Sequence, residues 1–118
     1  LIAMNHMRKD QNFEGMAVPE AAKQKLGVIG MKVIRPRETV KGLDPQSLIR
    51  YTLSLDHVAT ANVSMDSFEV LNANLETLRN FSPLSPSEMQ KLQGDLNPFF
   101  ENPDLPWLRP DYVDGYLT

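Results

Sequence analysis

The sequence contains no cysteine. Disulfides, thiolate nucleophiles and cysteine-based metal sites are therefore excluded, although the redox compartment stays open. The sequence also lacks any apolar run near the ~20 residues of a membrane helix, and basic residues are not in excess, since 12 Lys and Arg stand against 15 Asp and Glu. Neither nucleic acid nor a membrane is indicated as a partner, and the default expectation is a cytoplasmic protein.

What is present fits a single globular domain. A chain of 118 residues can bury one core but is too short for two domains. Its hydrophobic content of 42% and charged content of 23% are those of an ordinary soluble protein. The first five residues, LIAMN, already have the composition of a strand, so we expect this sequence to be part of a longer polypeptide.

Strands and helices are predicted to alternate along the first two thirds of the chain. Strands are predicted at 1–5, 27–34 and 57–63, and helices at 12–26, 44–55 and from 68 onward. The strands begin roughly 30 residues apart, which is the length of a strand-helix-strand unit. This pattern predicts an α/β fold with a parallel sheet and right-handed crossovers.

The stretch from His57 to Phe81 is the most informative one. A run of small and β-branched residues leads into a helix whose apolar positions share one face: Phe68, Leu71, Leu75 and Leu78. Asp66, followed three residues later by Glu69, indicates a capping box at the start of this helix. A strand that runs into a helix N-terminus offers N–H groups to a phosphate. The alternative is that this strand and helix are only one more packing unit of the sheet and bind no phosphate.

The chain changes character near residue 82. Ser85, Pro86 and Glu88 indicate a second capping box and a short helix that ends near Gln93. Beyond Gly94, prolines and aromatic residues without a regular period predict an extended tail anchored by its rings. The expected units are therefore residues 1–82, the α/β part, and residues 83–118, a helix and tail that pack on it.

Three segments resemble the closing third of an aldo/keto reductase. They are KLGVIGMKV, SLIRYTLSL and SMDSFEVLNANLETLRNFSPLS, and they occur in the family's order and spacing over roughly residues 1–90. The resemblance implies the last three βα units of a (β/α)8 TIM barrel. It also implies an oxidoreductase that reduces a small carbonyl substrate with hydride from a nicotinamide cofactor, NADP or NAD.

The resemblance assigns cofactor-binding roles to residues at the carboxyl ends of the strands, where barrel enzymes bind ligands. The segment Ser64–Ser67 would lie against the adenosine phosphate, and Asn74 would face the adenine. Met31 would lie beside the nicotinamide and Lys32 near the pyrophosphate. The complete implied set is Met31, Lys32, Ser64, Met65, Asp66, Ser67 and Asn74.

The chain also departs from the family's pattern. Asp66 occupies a position that often carries a cation for the 2′-phosphate of NADPH, and an acid there would repel that group. Val70 replaces a frequent glutamine, Leu1 replaces another, and arginines occur in a loop that is usually glycine-rich. No residue matches the catalytic tetrad, which lies on earlier strands of the barrel. We therefore expect this piece to hold part of a cofactor and to be catalytically inactive alone.

Simpler interpretations exist for each candidate residue. Asp66 could be a helix cap only, and Asn74 could face water. Lys32 ends an apolar strand, which favours a functional role, because charges are seldom left unpaired in such a place. His6 and His57 have no third ligand in view, so no metal site is expected. Two alternative functions stay open: a non-catalytic barrel relative, and a small α/β interaction module.

Overall fold

A computed structural model describes residues 1–3, 12–38, 40–101, 111 and 113. The strands are β1 (Ile2–Ala3), β2 (Val28–Met31) and β3 (Val58–Ala61). The α-helices are α1 (Val18–Lys23), α2 (Pro45–Ser54), α3 (Phe68–Arg79) and α4 (Pro86–Phe100). A π-helical turn at Phe13–Ala17 precedes α1, and a 3-10 helix at Arg35–Glu38 follows β2.

The three strands form one parallel sheet in the order β1-β2-β3. Gly30 is paired with Ile2 on one side and with Ala61 on the other. The prediction of an α/β fold with parallel strands is thus confirmed, and each strand lies within the range predicted for it. Because parallel strands need crossover connections, the sequential strand order places each intervening helix between neighbouring strands.

One face of the sheet carries the core. Val28 and Gly30 of β2 are buried, whereas Ile29 between them is 41% exposed. Since successive side chains of a strand point to opposite faces, the second face of β2 is open. Helices α1, α2 and α4 all contribute to the buried cluster, which consists of Val18, Val28, Val33, Leu48, Ile49, Leu96 and Phe99.

Two of the predicted helix starts are confirmed by their hydrogen bonds. The Asp44 carboxylate accepts from the backbone N–H groups of Gln46 and Ser47, and Pro45 follows it in the first turn. The Ser85–Glu88 capping box forms with both of its reciprocal bonds. These starts are locally encoded, because the cap and its partners lie within three residues of one another.

Two predicted helix lengths are wrong. The first helix, expected over 12–26, consists of the π-helical turn and α1, and it ends at Lys23. The last helix does not stop near Gln93 but continues through Gly94 and Pro98 to Phe100. Burial of Leu96 and Phe99 in the core accounts for the extra turns, since packing of an apolar face outweighs the cost of a proline.

The tail beyond Glu101, including Trp107, lies outside the described residues except for two isolated positions.

Helix α3 carries an apolar ridge that the described part of the chain leaves largely uncovered. Phe68 is 81% exposed and Leu78 is 52% exposed, and Leu75 is exposed as well. These residues share one face with the half-buried Leu71, as the spacing predicts. The buried residue of this helix is instead Asn74, at the edge of the ridge that borders α2. No helix among the described residues is long and apolar enough to cross a membrane.

Candidate functional site

The predicted site residues of β2 and β3 lie at the same edge of the sheet. Because Gly30 pairs with Ala61 in parallel register, the residues that follow them leave the sheet side by side. The backbone N–H of Asn62 donates to the Gly30 carbonyl at 2.7 Å and extends this pairing by one residue. Met31 is half-buried, and Lys32 is exposed with a left-handed backbone (φ 55°) that turns the chain out of the sheet.

The cap of α3 is Ser67, not Asp66. The Ser67 hydroxyl accepts from the backbone N–H of Val70 at 3.2 Å, and the Ser67 carbonyl accepts from that of Leu71 at 3.0 Å. Asp66 lies one residue outside the helix and is exposed. The predicted Asp66–Glu69 capping box is therefore wrong, because two adjacent residue types suited to capping competed and Ser67 has the extended backbone that a cap needs.

The Glu69 carboxylate occupies the first turn of α3. Hydrogen bonds from its own backbone N–H and from the Ser67 hydroxyl lower the pKa of the Glu69 carboxyl. The N–H groups of Val70 and Leu71 thus already have acceptors within the chain. This start of a helix, which the sequence suggested as a phosphate site, is supplied with its own negative charge.

Two depressions flank the first turn of α3. The more open one has a volume of about 250 Å³ and contains three of the predicted residues, Met65, Asp66 and Ser67, together with Phe68 and Leu71. The other is a groove of about 260 Å³ between α2 and α3 that contains Asn74. We call it the α2–α3 groove; its lining is Ile34, Arg37, Pro45, Gln46, Ile49, Glu69, Val70, Ala73 and Asn74.

Asn74 is the most constrained of the predicted site residues. It is only 6% exposed, and its side-chain oxygen accepts from Gln46 Nε2 at 3.2 Å. The possibility that Asn74 faces water is thus wrong. Its amide nitrogen has no hydrogen-bond partner among the described residues, and the residue lines the α2–α3 groove. Since the NH2 group carries two N–H donors and the carbonyl oxygen keeps a second lone pair, Asn74 can offer both a donor and an acceptor to a ligand.

Two side chains of opposite charge, Arg37 and Glu69, line the α2–α3 groove. Arg37 comes from the 3-10 helix after β2, in the same segment as Lys32 and Arg35. Glu69 comes from the first turn of α3, next to Asp66. The segment after β2 therefore contributes a cation to the lining of the groove, and the segment after β3 contributes an anion.

The sequence did not indicate the groove itself. Gln46 and Ile49 were assigned only to a helix, and nothing in their local pattern points to a partner 28 residues away. The groove could have been suspected from α2 and α3 each following a neighbouring strand, because their N-termini then meet at one edge of the sheet. The structure gathers Met65, Asp66 and Ser67 in one depression and Asn74 in the other, with Met31 and Lys32 at the adjoining strand end.

Comparison with known proteins identifies no protein similar to this chain. No protein-family model, curated protein or solved structure matches the chain. The aldo/keto reductase resemblance, the cofactor and the assigned residues consequently remain predictions.

Proposed function

We propose that this chain is the closing arc of a (β/α)8 barrel oxidoreductase and holds the adenosine half of a nicotinamide dinucleotide. The fold supports this in two ways. Among the described residues the strand order β1-β2-β3 runs in one direction, as it does along a barrel and along each half of a doubly wound sheet. The exposed Ile29 marks a sheet face that parallel sheets ordinarily bury. Earlier βα units would cover that face and close the ring.

The observation that carries the proposal is the buried Asn74 amide at the α2–α3 groove. Adenine presents an N–H donor at N6 beside an acceptor at N7, and an asparagine amide matches that pair. The apolar side chains of Ile49, Val70 and Ala73 provide walls for a flat ring. The groove is just below the ~300–1,000 Å³ of drug-sized pockets, so it suits one ring system and not a whole dinucleotide.

The remaining parts of the cofactor would follow the strand ends. Lys32 would lie near the pyrophosphate, and Met31 beside the nicotinamide. Ser64, Met65, Asp66 and Ser67 would lie against the adenosine phosphate, the role that the resemblance implies for them. When bound, the cofactor supplies the hydride for carbonyl reduction; the residues of this chain bind and orient it. The proton donor and the catalytic tetrad would come from earlier units of the barrel.

Ligand binding by the 118-residue chain tests the proposal. We expect AMP, ADP-ribose and NADH to bind in calorimetric titrations, and nicotinamide mononucleotide, which lacks adenosine, not to bind. Asn74→Ala should weaken AMP binding roughly tenfold, the loss that about one hydrogen bond explains. Asn72→Ala is the matched control, because Asn72 is an exposed residue of the same helix outside the groove.

Two results would contradict the proposal. The first is the absence of AMP binding by a folded chain, and the second is equal weakening by Asn74→Ala and Asn72→Ala. A separate expectation concerns catalysis: the chain alone should not reduce carbonyl compounds. Saturable NADPH-dependent or NADH-dependent reduction by the purified chain would refute this expectation.

A second candidate function is a small α/β interaction module. The exposed ridge of α3, with Phe68, Leu75 and Leu78, favours it, because contiguous apolar patches on a surface commonly mark interaction sites. A module of this kind would bind a protein through α3 and would not need the Asn74 amide. Adenosine binding distinguishes the two functions.

A further inference from the structure

The apolar ridge of α3 has the same spacing in both directions along the helix. Its residues are separated by three, four and three positions: Phe68, Leu71, Leu75 and Leu78. A second copy of α3, laid antiparallel on the first, would therefore set Phe68 against the second copy's Leu78. In the middle of the contact, Leu71 would meet the second copy's Leu75. Alternating steps of three and four are also the spacing with which two helices pack along one apolar seam.

The ridge is accessible to such a contact. Phe68 is 81% exposed and Leu78 is 52% exposed, so both ends of the ridge have little cover in the described part of the chain. The depression of about 250 Å³ beside Phe68 and Leu71 lies where the second copy's Leu78 would enter. Helix α2 is joined to α3 at the edge of the ridge, through the hydrogen bond between Gln46 and Asn74. A second copy on the ridge therefore does not need to displace α2.

The charges at the two ends of α3 favour the antiparallel arrangement. Asp66 precedes the helix and Glu69 lies in its first turn, whereas Arg79 is its last residue. All three side chains are exposed, and Arg79 has no ion-pair partner in the described part of the chain. In an antiparallel pair, the arginine of each copy comes level with the acidic helix start of the other, and the helix dipoles run in opposite directions. A parallel pair would bring like charges together.

We propose that the ridge of α3 is the interface of a twofold-symmetric dimer of this chain, in which the two α3 helices pack antiparallel. The proposal names a partner for the ridge and does not rest on the adenosine site. Because each copy uses the same patch, the contact closes at two copies. Four ridge residues from each copy make a small interface, so we expect a weak dimer with a dissociation constant on the order of 0.1 mM.

Sedimentation analysis of the 118-residue chain, from roughly 10 μM to 1 mM, brackets this dissociation constant. We expect an equilibrium between monomer and dimer without larger species. Leu78→Gln should weaken dimerisation roughly tenfold, because each dimer loses two buried leucine side chains, and Phe68→Ser should have a similar effect. Leu26→Gln is the matched control, since Leu26 is 62% exposed and lies outside α3, and it should leave dimerisation unchanged.

Charge reversal tests how the two helices are arranged. Arg79→Glu places like charges at both ends of its own dimer, and so does Asp66→Arg. Each variant alone should therefore dimerise at least threefold more weakly. An equimolar mixture of the two should recover dimerisation, because one chain then carries anions and the other cations at the places that meet. Lys23→Glu is the control for net charge, since it makes the same change at an exposed position in α1 and should dimerise as wild type does.

Several results would overturn the dimer. They are a folded chain that stays monomeric at the highest concentration, assembly beyond two copies, equal effects of Leu78→Gln and Leu26→Gln, and a mixture of the charge variants that does not recover. Circular dichroism of each variant establishes that a change in dimerisation comes from a folded chain. Leu78→Gln should still bind AMP, and a dimeric chain that binds no AMP would contradict the adenosine site alone.

Discussion

Gln46 Nε2 donates a hydrogen bond to Asn74 Oδ1 across 28 residues of sequence and thereby joins α2 to α3. The other end of the same amide, Gln46 Oε1, accepts from the Thr77 hydroxyl at 2.6 Å. Helix α3 is thus attached to its neighbour through its polar side. This attachment explains why its apolar ridge is left outward and why the Asn74 amide is held at the groove.

Gln46→Leu should destabilise the chain by about 1–3 kcal/mol, because it leaves the mostly buried Asn74 oxygen without its donor. The measurement is the free energy of unfolding in urea. Gln90→Leu is the control, since Gln90 is an exposed residue of α4, and it should change stability by less than about 0.5 kcal/mol. Equal effects of the two variants would show that the α2–α3 contact does not depend on this bond.

Tyr51 should make the chain sensitive to alkali. Its side chain is fully buried, and its hydroxyl donates to Glu14 at 2.6 Å and accepts from Gln93 Nε2 at 3.0 Å. Burial, and then the Glu14 charge, raise the pKa of Tyr51 well above its usual 10.0. Because the folded-state pKa is the higher one, this contribution to stability is complete below pH 10.0 and is lost as the pH rises beyond it.

The corresponding measurement compares wild type with Tyr51→Phe in urea unfolding at several pH values. Above pH 10.0 the free energy of unfolding of wild type should fall by up to about 1.4 kcal/mol per pH unit more than that of Tyr51→Phe. Parallel pH profiles would mean that Tyr51 is not held protonated by the fold. Below pH 10.0 the variant should be less stable, because Glu14 loses its donor.

The capping box of α4 should make the stability of the chain depend on pH at the acid end of the range. The Ser85 hydroxyl and then the Ser85 backbone N–H, both donating to the Glu88 carboxylate at 2.7 Å, lower the pKa of Glu88 below 4.5. A lowered folded-state pKa means that this contribution is present above pH 4.5 and is lost as the pH falls through the folded value.

Glu88→Gln tests the acid side. The stability of this variant should differ less between conditions above and below pH 4.5 than that of wild type. Glu101→Gln is the control, because Glu101 is exposed and follows the end of the same helix, and it should keep the wild-type difference. Helix content and thermal unfolding report the effect. An acid transition that Glu88→Gln leaves unaltered would assign the pH dependence to other carboxyl groups.

The sequence correctly predicted the features that depend on residues close together in the chain. The helix starts at Asp44 and Ser85 were predicted correctly, because each cap and its partners lie within three residues of one another. The α3 cap was displaced by one residue, since Asp66 and Ser67 are both suitable and only the backbone conformation distinguishes them. The burial of Asn74 could not be predicted, because it depends on Gln46 in another helix. The same holds for the last turns of α4, which depend on the core around Phe99.

The ridge of α3 gives the last prediction. Leu75→Gln/Leu78→Gln should change the stability of this chain by less than about 1 kcal/mol, because both side chains are exposed. Leu48→Ala, in the core, should cost about 2–5 kcal/mol. The double variant should also self-associate less in analytical ultracentrifugation, since an uncovered apolar ridge promotes contact between copies. A loss of several kcal/mol in the double variant would mean that other parts of the chain cover the ridge, and the case for an interaction module that binds through α3 would fail with it.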